Sequence, residues 1–233
     1  MRINKFVALS TGMSRRAADA AIAQGRVLVN GELPSAGYDV TSADRVSLDG
    51  TDLRVQDNPV TIIFNKPTGY VVSRKGQGSK TIYDLLPPEY HHLKPVGRLD
   101  KDSSGLLLLT NDGNLANELT HPRYAKTKLY QVELDKPLTS EDKIQIEKGI
   151  VLDDGISHLD VSGGSRLEVL GSSEASSTYD LKPKTYRVAM AEGRNRQIRR
   201  TFAALGYEVK KLRRTQFGSY SLAGLTPGSY TRI

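Results

Sequence analysis

At 233 residues, 38% of them hydrophobic and 25% charged, the chain has the make-up of a soluble globular protein with one large domain or one large and one small, which excludes a fibrous or disordered chain. With no cysteine it has no disulfides or thiolate metal ligands, and no apolar stretch approaches the ~20 residues of a membrane span. A net charge of +7 favours a polyanionic partner, nucleic acid above all.

Residues 1–57 read as a small separate unit. Met1-Arg2-Ile3-Asn4-Lys5 opens a periodic segment without an apolar signal core, so a cytoplasmic location is expected. Ile3, Phe6 and Val7 fall at helical spacing, and Gly12 ends that helix. Ser14 is the N-cap of a second helix that stops at Gly25. Val27-Leu28-Val29 is a strand entering the hairpin signal Asn30-Gly31; Val46–Leu48 and Asp52–Arg54 form a strand pair joined near Asp49-Gly50. Arg2, Lys5, Arg15, Arg16 and Arg26 face one acid, Asp19, before Gly31. Arg15 and Arg16 stand in a helical first turn, where cations oppose the helix dipole, so phosphate contact explains them better than stability does.

Gln56-Asp57-Asn58-Pro59 is a linker, and residues 60–233 form the second unit. Val60–Phe64 is strand-like and feeds the turn Asn65-Lys66-Pro67-Thr68-Gly69; Tyr70-Val71-Val72 is a second β-rich piece. Thr81–Leu86 is a short helix stopped by Pro87-Pro88. Adjacent His91 and His92 point apart and have no partner ligand, so no metal site is expected.

Val96 to Gly113 places Arg98, Asp100, Asp102, Ser103 and Ser104 just ahead of an apolar run, Leu106–Leu109, closed by Asn111-Asp112-Gly113. The run is a buried strand, and the polar residues before it are either an ordinary turn or a site fixed to a rigid scaffold. Asn114–Leu119 is a short helix. Lys126–Leu134 is a strand with Lys126, Lys128, Tyr130 and Val132 on one face, and Thr139 or Ser140 caps a helix running to Lys148. Between 151 and 191 the strand candidates are Val151-Leu152, Arg166–Leu170, Thr178–Leu181 and Thr185–Ala191.

Asn195 is the expected N-cap of a helix ending at Gly206, with Ile198, Thr201, Phe202 and Leu205 turned inward. Arg196, Arg199 and Arg200 cluster at i, i+3 and i+4, a repulsion that an anion or a buried acid should offset. Residues 194–214 hold eight Lys or Arg and one acid, Glu208, a polyanion footprint extended by Lys210-Lys211-Leu212-Arg213-Arg214 on a strand.

Arg2-Ile-Asn-Lys5-Phe6, Ser14-Arg15-Arg16-Ala17 and Gly25-Arg26-Val27-Leu28-Val29-Asn30-Gly31 are similar to the small RNA-binding module shared with ribosomal protein S-four. The rest of the chain resembles the pseudouridine synthases that modify ribosomal RNA, in the branch with such an N-terminal module. The match is carried by Asn65-Lys66-Pro67-x-Gly69, Gly97-Arg98-Leu99-Asp100, Gly105-Leu-Leu-Leu-Leu-Thr-Asn-Asp-Gly113, His121-Pro122, Lys128-x-Tyr130, Glu192-Gly-Arg-Asn-Arg-Gln-Ile-Arg-Arg200 and Leu212-Arg213-Arg214. Ser103 stands where threonine is usual, and Thr201 where methionine is common.

The resemblance implies an α+β protein: a small N-terminal α/β RNA-binding module, then a catalytic domain on a mixed, largely antiparallel sheet flanked by helices. It implies that Asp100 is the nucleophile on a uridine of ribosomal RNA, at either the ring or the ribose carbon. Tyr130 is the residue that stacks on the base and aids the final proton removal, and Arg199 the one that pairs with Asp100. No cofactor, membrane or obligatory protein partner is implied, and a monomer is expected. The implied RNA contacts are Arg2, Lys5, Arg15, Arg16, Arg26, Lys66, Arg98, Lys128, Arg194, Asn195, Arg196, Gln197, Arg200, Arg213 and Arg214. Residues 194–200 and Asn114-Leu-Ala-Asn117 incline toward the large-subunit members.

Physical chemistry agrees with this assignment. A nucleophilic carboxylate must be ionised, and an adjacent guanidinium favours that. Unstacking the uridine costs a few kcal/mol, and an aromatic face returns about 1–3 kcal/mol. Asp102 is the rival nucleophile, or with Asp100 a glycosidase-like dyad, but the motif falls on Asp100. The alternative from another class is a non-catalytic RNA-binding or ribosome-assembly protein on the same scaffold. It would gain nothing from an acid facing a phosphate-rich groove. A metal-dependent hydrolase lacks a further ligand set.

Overall fold

The computed structural model describes residues 1–54, 59–162, 184–222 and 224–233. The chain divides into two compact units, residues 1–60 with 92–94, and residues 61–91 with 95–233.

In the first unit, helices α1 (Ile3–Thr11) and α2 (Arg15–Ala23) precede three short strands, β1 (Val27–Val29), β2 (Val46–Leu48) and β3 (Thr51–Asp52). The Ser14 hydroxyl accepts from the Ala17 amide, so α2 starts where the capping pattern places it. Ile3, Val7, Ala18, Ala21, Val27, Val29 and Val46 close a small core between helices and sheet. Asn30 and Gly31 both take positive φ and make the expected tight turn. The turn leads only to a bridge from Val29 to Glu32, and β1 instead pairs with the more distant β2. Strand β3 begins one residue earlier than expected, since Asp49 and Gly50, both at positive φ, complete the turn and Thr51 already pairs with Leu48.

The second unit is built on β4 (Thr61–Lys66), β5 (Lys94–Pro95), β6 (Ser104–Thr110), β7 (Lys128–Leu134), β8 (Ile150–Leu152), β9 (Gly155–Ser157), β10 (Asp160–Ser162), β11 (Thr185–Met190), β12 (Val209–Phe217), β13 (Tyr220–Ser221) and β14 (Tyr230–Arg232). Its main sheet runs β10-β11-β7-β12-β6-β4-β14, with β5 and β13 off that path; β8 and β9 form a separate hairpin. Only the β12–β6 pair in this path is parallel, so the sheet is mixed and largely antiparallel, as the resemblance implied. Leu106, Leu107, Leu108 and Leu109 are all fully buried. An apolar run without alternation therefore makes the central strand β6, covered on both faces.

Among the described residues three helices flank the sheet: α3 (Gly113–Thr120), capped by Asp112, α4 (Ser140–Lys148), capped by Thr139, and α5 (Gln197–Ala204). Helix α5 packs on β8 and β12 through Ile198, Thr201 and Phe202, all buried. Among the described residues no helix is long and apolar enough to cross a membrane.

One local expectation fails and another takes a tighter form. Tyr70–Val72 is not a strand: only Val71 makes a bridge, to Thr81, because the following Gly- and Ser-rich loop returns the chain at once. Helix 81–86 is a tight 3-10 turn, Ile82–Leu85, held by a reciprocal cap between Thr81 and Asp84. The strand candidates Arg166–Leu170 and Thr178–Leu181 lie outside the described residues, as do residues 56–58 of the linker.

Candidate active site

A cleft of ≈ 670 Å³ opens in the second unit where five segments meet. The loop before β6 contributes Arg98 and Asp100, and the end of α3 contributes His121. Strand β7 contributes Lys128 and Tyr130. Residues 190–198 and β12, through Leu212, Arg214 and Phe217, complete the lining. Asp100 and Tyr130, thirty residues apart in sequence, thus face one space.

The Asp100 loop is braced from inside. Lys66, at the end of β4, is completely buried, and its ammonium donates to the carbonyl oxygens of Pro67 at 3.0 Å, Asp100 at 3.0 Å and Ser103 at 2.8 Å. Its three protons are thereby used on three backbone acceptors. Burial pulls the Lys66 ammonium down to about 8, against the opposing charges of Asp100 and Asp102. Lys66 is therefore a brace for the loop and has no surface to offer an RNA phosphate, contrary to the sequence expectation.

Two arginines of the α5 segment face the two carboxylates of the loop. Arg196 forks onto Asp102, with Nη1 to Oδ1 and Nη2 to Oδ2 both at 3.0 Å, and its Nη1 lies 3.8 Å from Oδ2 of Asp100. Arg199 sets Nε 3.3 Å from Asp102 Oδ2, while its Nη2 donates to the Asp102 carbonyl and its Nη1 to the Val209 carbonyl. The ion pair expected between Arg199 and Asp100 is therefore made with Asp102. The reason is that Arg199 is fixed at both ends of its guanidinium by backbone carbonyls. The hydrogen bond from Arg196, and then the charge of Arg199, hold the Asp102 carboxyl below its ordinary range; the bond to Asp102 in turn raises Arg196.

Asn195 does not cap α5. Arg196 occupies the N-cap in the left-handed region, φ 46° and ψ 30°, with no side-chain cap bond. The reversal is held instead by Gln197, whose Oε1 accepts from the Arg194 amide and whose Nε2 donates to Ser157 Oγ and to Glu192. Gln197 is buried, so it too is a brace and not an RNA contact.

The basic footprint of residues 194–214 is largely neutralised by Glu208 within it and by acids elsewhere in the sequence. Arg194 binds Asp154 and Glu192, Arg200 binds Asp153 and Asp154, Lys210 binds Glu208, and Lys211 binds Glu133. Asp153 and Asp154 sit at the tip of the β8–β9 hairpin, which the sequence reading missed; the signal available was Asp154-Gly155 beside Val151-Leu152. The arginine repulsion in α5 is offset as expected, by carboxylates that are exposed and not buried. Partly exposed pairs of this kind contribute little to stability. In the first unit Arg26 is likewise clasped at both ends by Asp49, and Arg2 by Gly37 and Asp39. Arg15 and Arg16 are exposed.

The inner part of the cleft is cationic. Lys128 Nζ lies 5.2 Å and Arg214 Cζ 5.0 Å from the Phe217 ring centre, and Arg214 stands directly opposite Tyr130 across β12 and β7. Arg214 is 2% exposed and donates through Nε to the Leu106 carbonyl. It can meet a group that enters the cleft but not a phosphate on the outer surface. Burial, then the neighbouring charge of Arg214, lowers the Lys128 ammonium. Arg98 and Asn195 are exposed at the cleft, and Arg213 is half-buried.

The arrangement sets a partly exposed carboxylate and an aromatic ring at one cleft. Residues 60–204 match the family model for RNA pseudouridylate synthase, and residues 1–46 match the S4 domain. The ribosomal large subunit pseudouridine synthase B of Bacillus subtilis (strain 168) is 35% identical over 97% of this chain and 89% of its own length. The ribosomal small subunit pseudouridine synthase A of Escherichia coli (strain K12) is 35% identical over 99% of this chain and 95% of its own. A crystal structure of a pseudouridylate synthase superposes with a TM-score of 0.65 at 29% identity, over all of this chain and 96% of that one. The chain belongs to the RNA pseudouridylate synthases, a family of isomerases, and carries an S4 domain ahead of the synthase part.

Proposed function

We propose that the protein converts a uridine of ribosomal RNA to pseudouridine, with Asp100 as the nucleophile. The observation that carries this reading is the meeting of Asp100 and Tyr130 in one cleft, from a braced loop and a separate strand. The Asp100 side chain is 36% exposed, so a base that enters can reach it. Ribosomal RNA as the substrate is supported by relatives named for it, which represent both subunits at like identity. They give no weight to the large-subunit inclination of residues 194–200.

The uridine leaves its stack and enters the cleft, with the Tyr130 ring recovering part of the cost by stacking. The Asp100 carboxylate adds to the uridine at the ring or the ribose carbon, and the N1–C1′ bond breaks with its electron pair retained by the ring. The ring turns, its C5 bonds to C1′, and the carboxylate departs. The proton on C5 is then lost, with Tyr130 placed to assist. Atoms and charge balance without an oxidant, a reductant or a second substrate, so no cofactor is required.

The test is to map pseudouridine in ribosomal RNA with the wild-type protein and with Asp100→Asn. The wild type modifies one site or a few, which also identifies the subunit. The variant modifies none while retaining RNA affinity. Full activity of Asp100→Asn would remove Asp100 as nucleophile. No modification by the wild type, with binding intact, would favour the non-catalytic RNA-binding alternative.

A further inference from the structure

Asp102 has no part in the chemistry just described, yet it draws more of the nearby cationic charge than Asp100 does. Both of its oxygens are taken by the Arg196 fork at 3.0 Å, and Arg199 Nε adds a third contact at 3.3 Å. Asp100, two residues away on the same turn, receives from Arg196 only an approach at 3.8 Å. That is beyond hydrogen-bond range, so its oxygens are not bound by that guanidinium.

The difference matters for a nucleophile. A guanidinium fork on a carboxylate makes two parallel charge-assisted hydrogen bonds and occupies the lone pairs an attack would use. A guanidinium held just outside that range still favours the ionised form through its charge, without engaging the oxygens. We infer that Asp102 is a positioning residue: it holds the Arg196 fork on itself and so keeps Arg196 from chelating Asp100. This inference rests on the reading of Asp100 as nucleophile.

The surrounding contacts set the choice. Arg199 fixes the Asp102 backbone carbonyl at 3.0 Å and is itself tied to Val209. Lys66 fixes the Asp100 carbonyl from the opposite, buried side. The two carboxylates are thus anchored separately, and Arg196, at the exposed N-terminus of α5, is the member of the cluster able to swing between them.

The experiment compares Asp102→Asn, Arg196→Gln and the double variant in single-turnover and steady-state assays, with RNA affinity and melting temperature measured on each. In Asp102→Asn the fork loses its charged partner and transfers to Asp100. We expect kcat to fall about tenfold or more with KM within about threefold. In the double variant the capturing guanidinium is absent, so kcat recovers above the Asp102→Asn level although two side chains are now changed. Arg196→Gln alone falls by less than Asp102→Asn alone. A double variant as slow as Asp102→Asn, or slower, overturns the inference, as does a change confined to KM. Should Asp102→Asn melt below the assay temperature, Asp102→Glu provides the second reading. It retains a carboxylate for the fork and is expected to keep most of kcat, and a loss of all turnover in a folded Asp102→Glu overturns the inference. Asp100→Asn in the same assays separates the two claims: if it is active, the nucleophile assignment falls; if it is dead and the double variant fails to recover, only the role of Asp102 falls.

Discussion

The Nζ of Lys66 donates at 3.0 Å to the backbone carbonyl of Asp100 from a position with no exposed surface. The proposed nucleophile is therefore held through its main chain by a buried ammonium, while its carboxylate stays at the cleft. Lys66→Met keeps the aliphatic packing and removes all three donors. A loop misplaced by about 1 Å is expected to cost about 100-fold in kcat. RNA affinity, measured by filter binding, is expected to stay unchanged; a proportional loss of affinity would restore Lys66 as an RNA contact.

The same group gives a dependence on pH with opposite signs for stability and activity. Lys66 titrates at about 8 in the folded protein and at 10.5 unperturbed. Between those values the unfolded chain binds more protons, so stability from this group rises with pH across that window. Below about 8 the buried charge weighs fully against the fold. Activity moves the other way, since a neutral amine has two N–H groups for three carbonyls. Melting temperature is expected to carry a rising component from pH 8 to 10.5 that Lys66→Met lacks, while wild-type kcat falls above about 8.

Gly105 marks where β6 and β12 run closest. Its φ is +106°, and a Cβ there would land on the Arg214 carbonyl oxygen and 2.7 Å from the Arg214 nitrogen. Both neighbours are backbone in the parallel pair that joins the two halves of the sheet. Gly105→Ala is expected to destabilise by at least ~2 kcal/mol, combining overpacking with an unfavourable φ. Thermal melts at neutral pH check this; a melting temperature within 1–2 °C of wild type, taken as about the precision of such melts, would contradict the close approach.

Much of this architecture was legible because it rests on local rules. The Ser14 and Thr139 caps start their helices where the residue types place them, and Leu106–Leu109 reads as the buried strand it forms. The chemistry-bearing positions Asp100, Tyr130, Arg98 and Lys128 also meet in one cleft. What was not legible depends on long-range pairing. Nothing local says that Arg200 finds Asp153 and Asp154, or that Arg199 selects Asp102 over Asp100. Lys66 and Gln197 are polar residues in motifs, which reads as contact with a ligand, whereas both satisfy interior backbone and side-chain groups. The N-cap of α5 was misplaced because Asn195 obeys the capping preference, and the Glu192–Gln197 network overrides it.

In the S4 domain, the exposed cations differ in how much charge they can offer RNA. Among the described residues Arg15 donates only to the neutral Asn4 side chain, whereas Arg26 is held on both Asp49 oxygens. Joint Arg15→Ala and Arg16→Ala is expected to reduce the slope of log affinity against log salt by about 1.4–1.8, roughly the share of two phosphate contacts. Arg26→Ala should change it by less than half of one contact's share, about 0.4. A slope change for Arg26→Ala as large as half that of the joint variant would show that the Asp49 clasp opens on binding.

The left-handed backbone at Arg196 means that the fold is working against its own residue preferences at the mouth of the cleft. A side chain with a Cβ is disfavoured there by roughly 1–2 kcal/mol, and glycine is not. Arg196→Gly and Arg196→Ala lose the same guanidinium, so the difference between them isolates the backbone. The glycine variant is expected to be the more stable by about 1 kcal/mol in chemical denaturation. If it is, and Arg196→Gly also proves more stable than wild type, arginine persists at a position where the smallest residue makes a sturdier protein. Selection at that one site would then be acting on turnover, and a stability screen would drift away from the native residue there while leaving the leucine strand untouched.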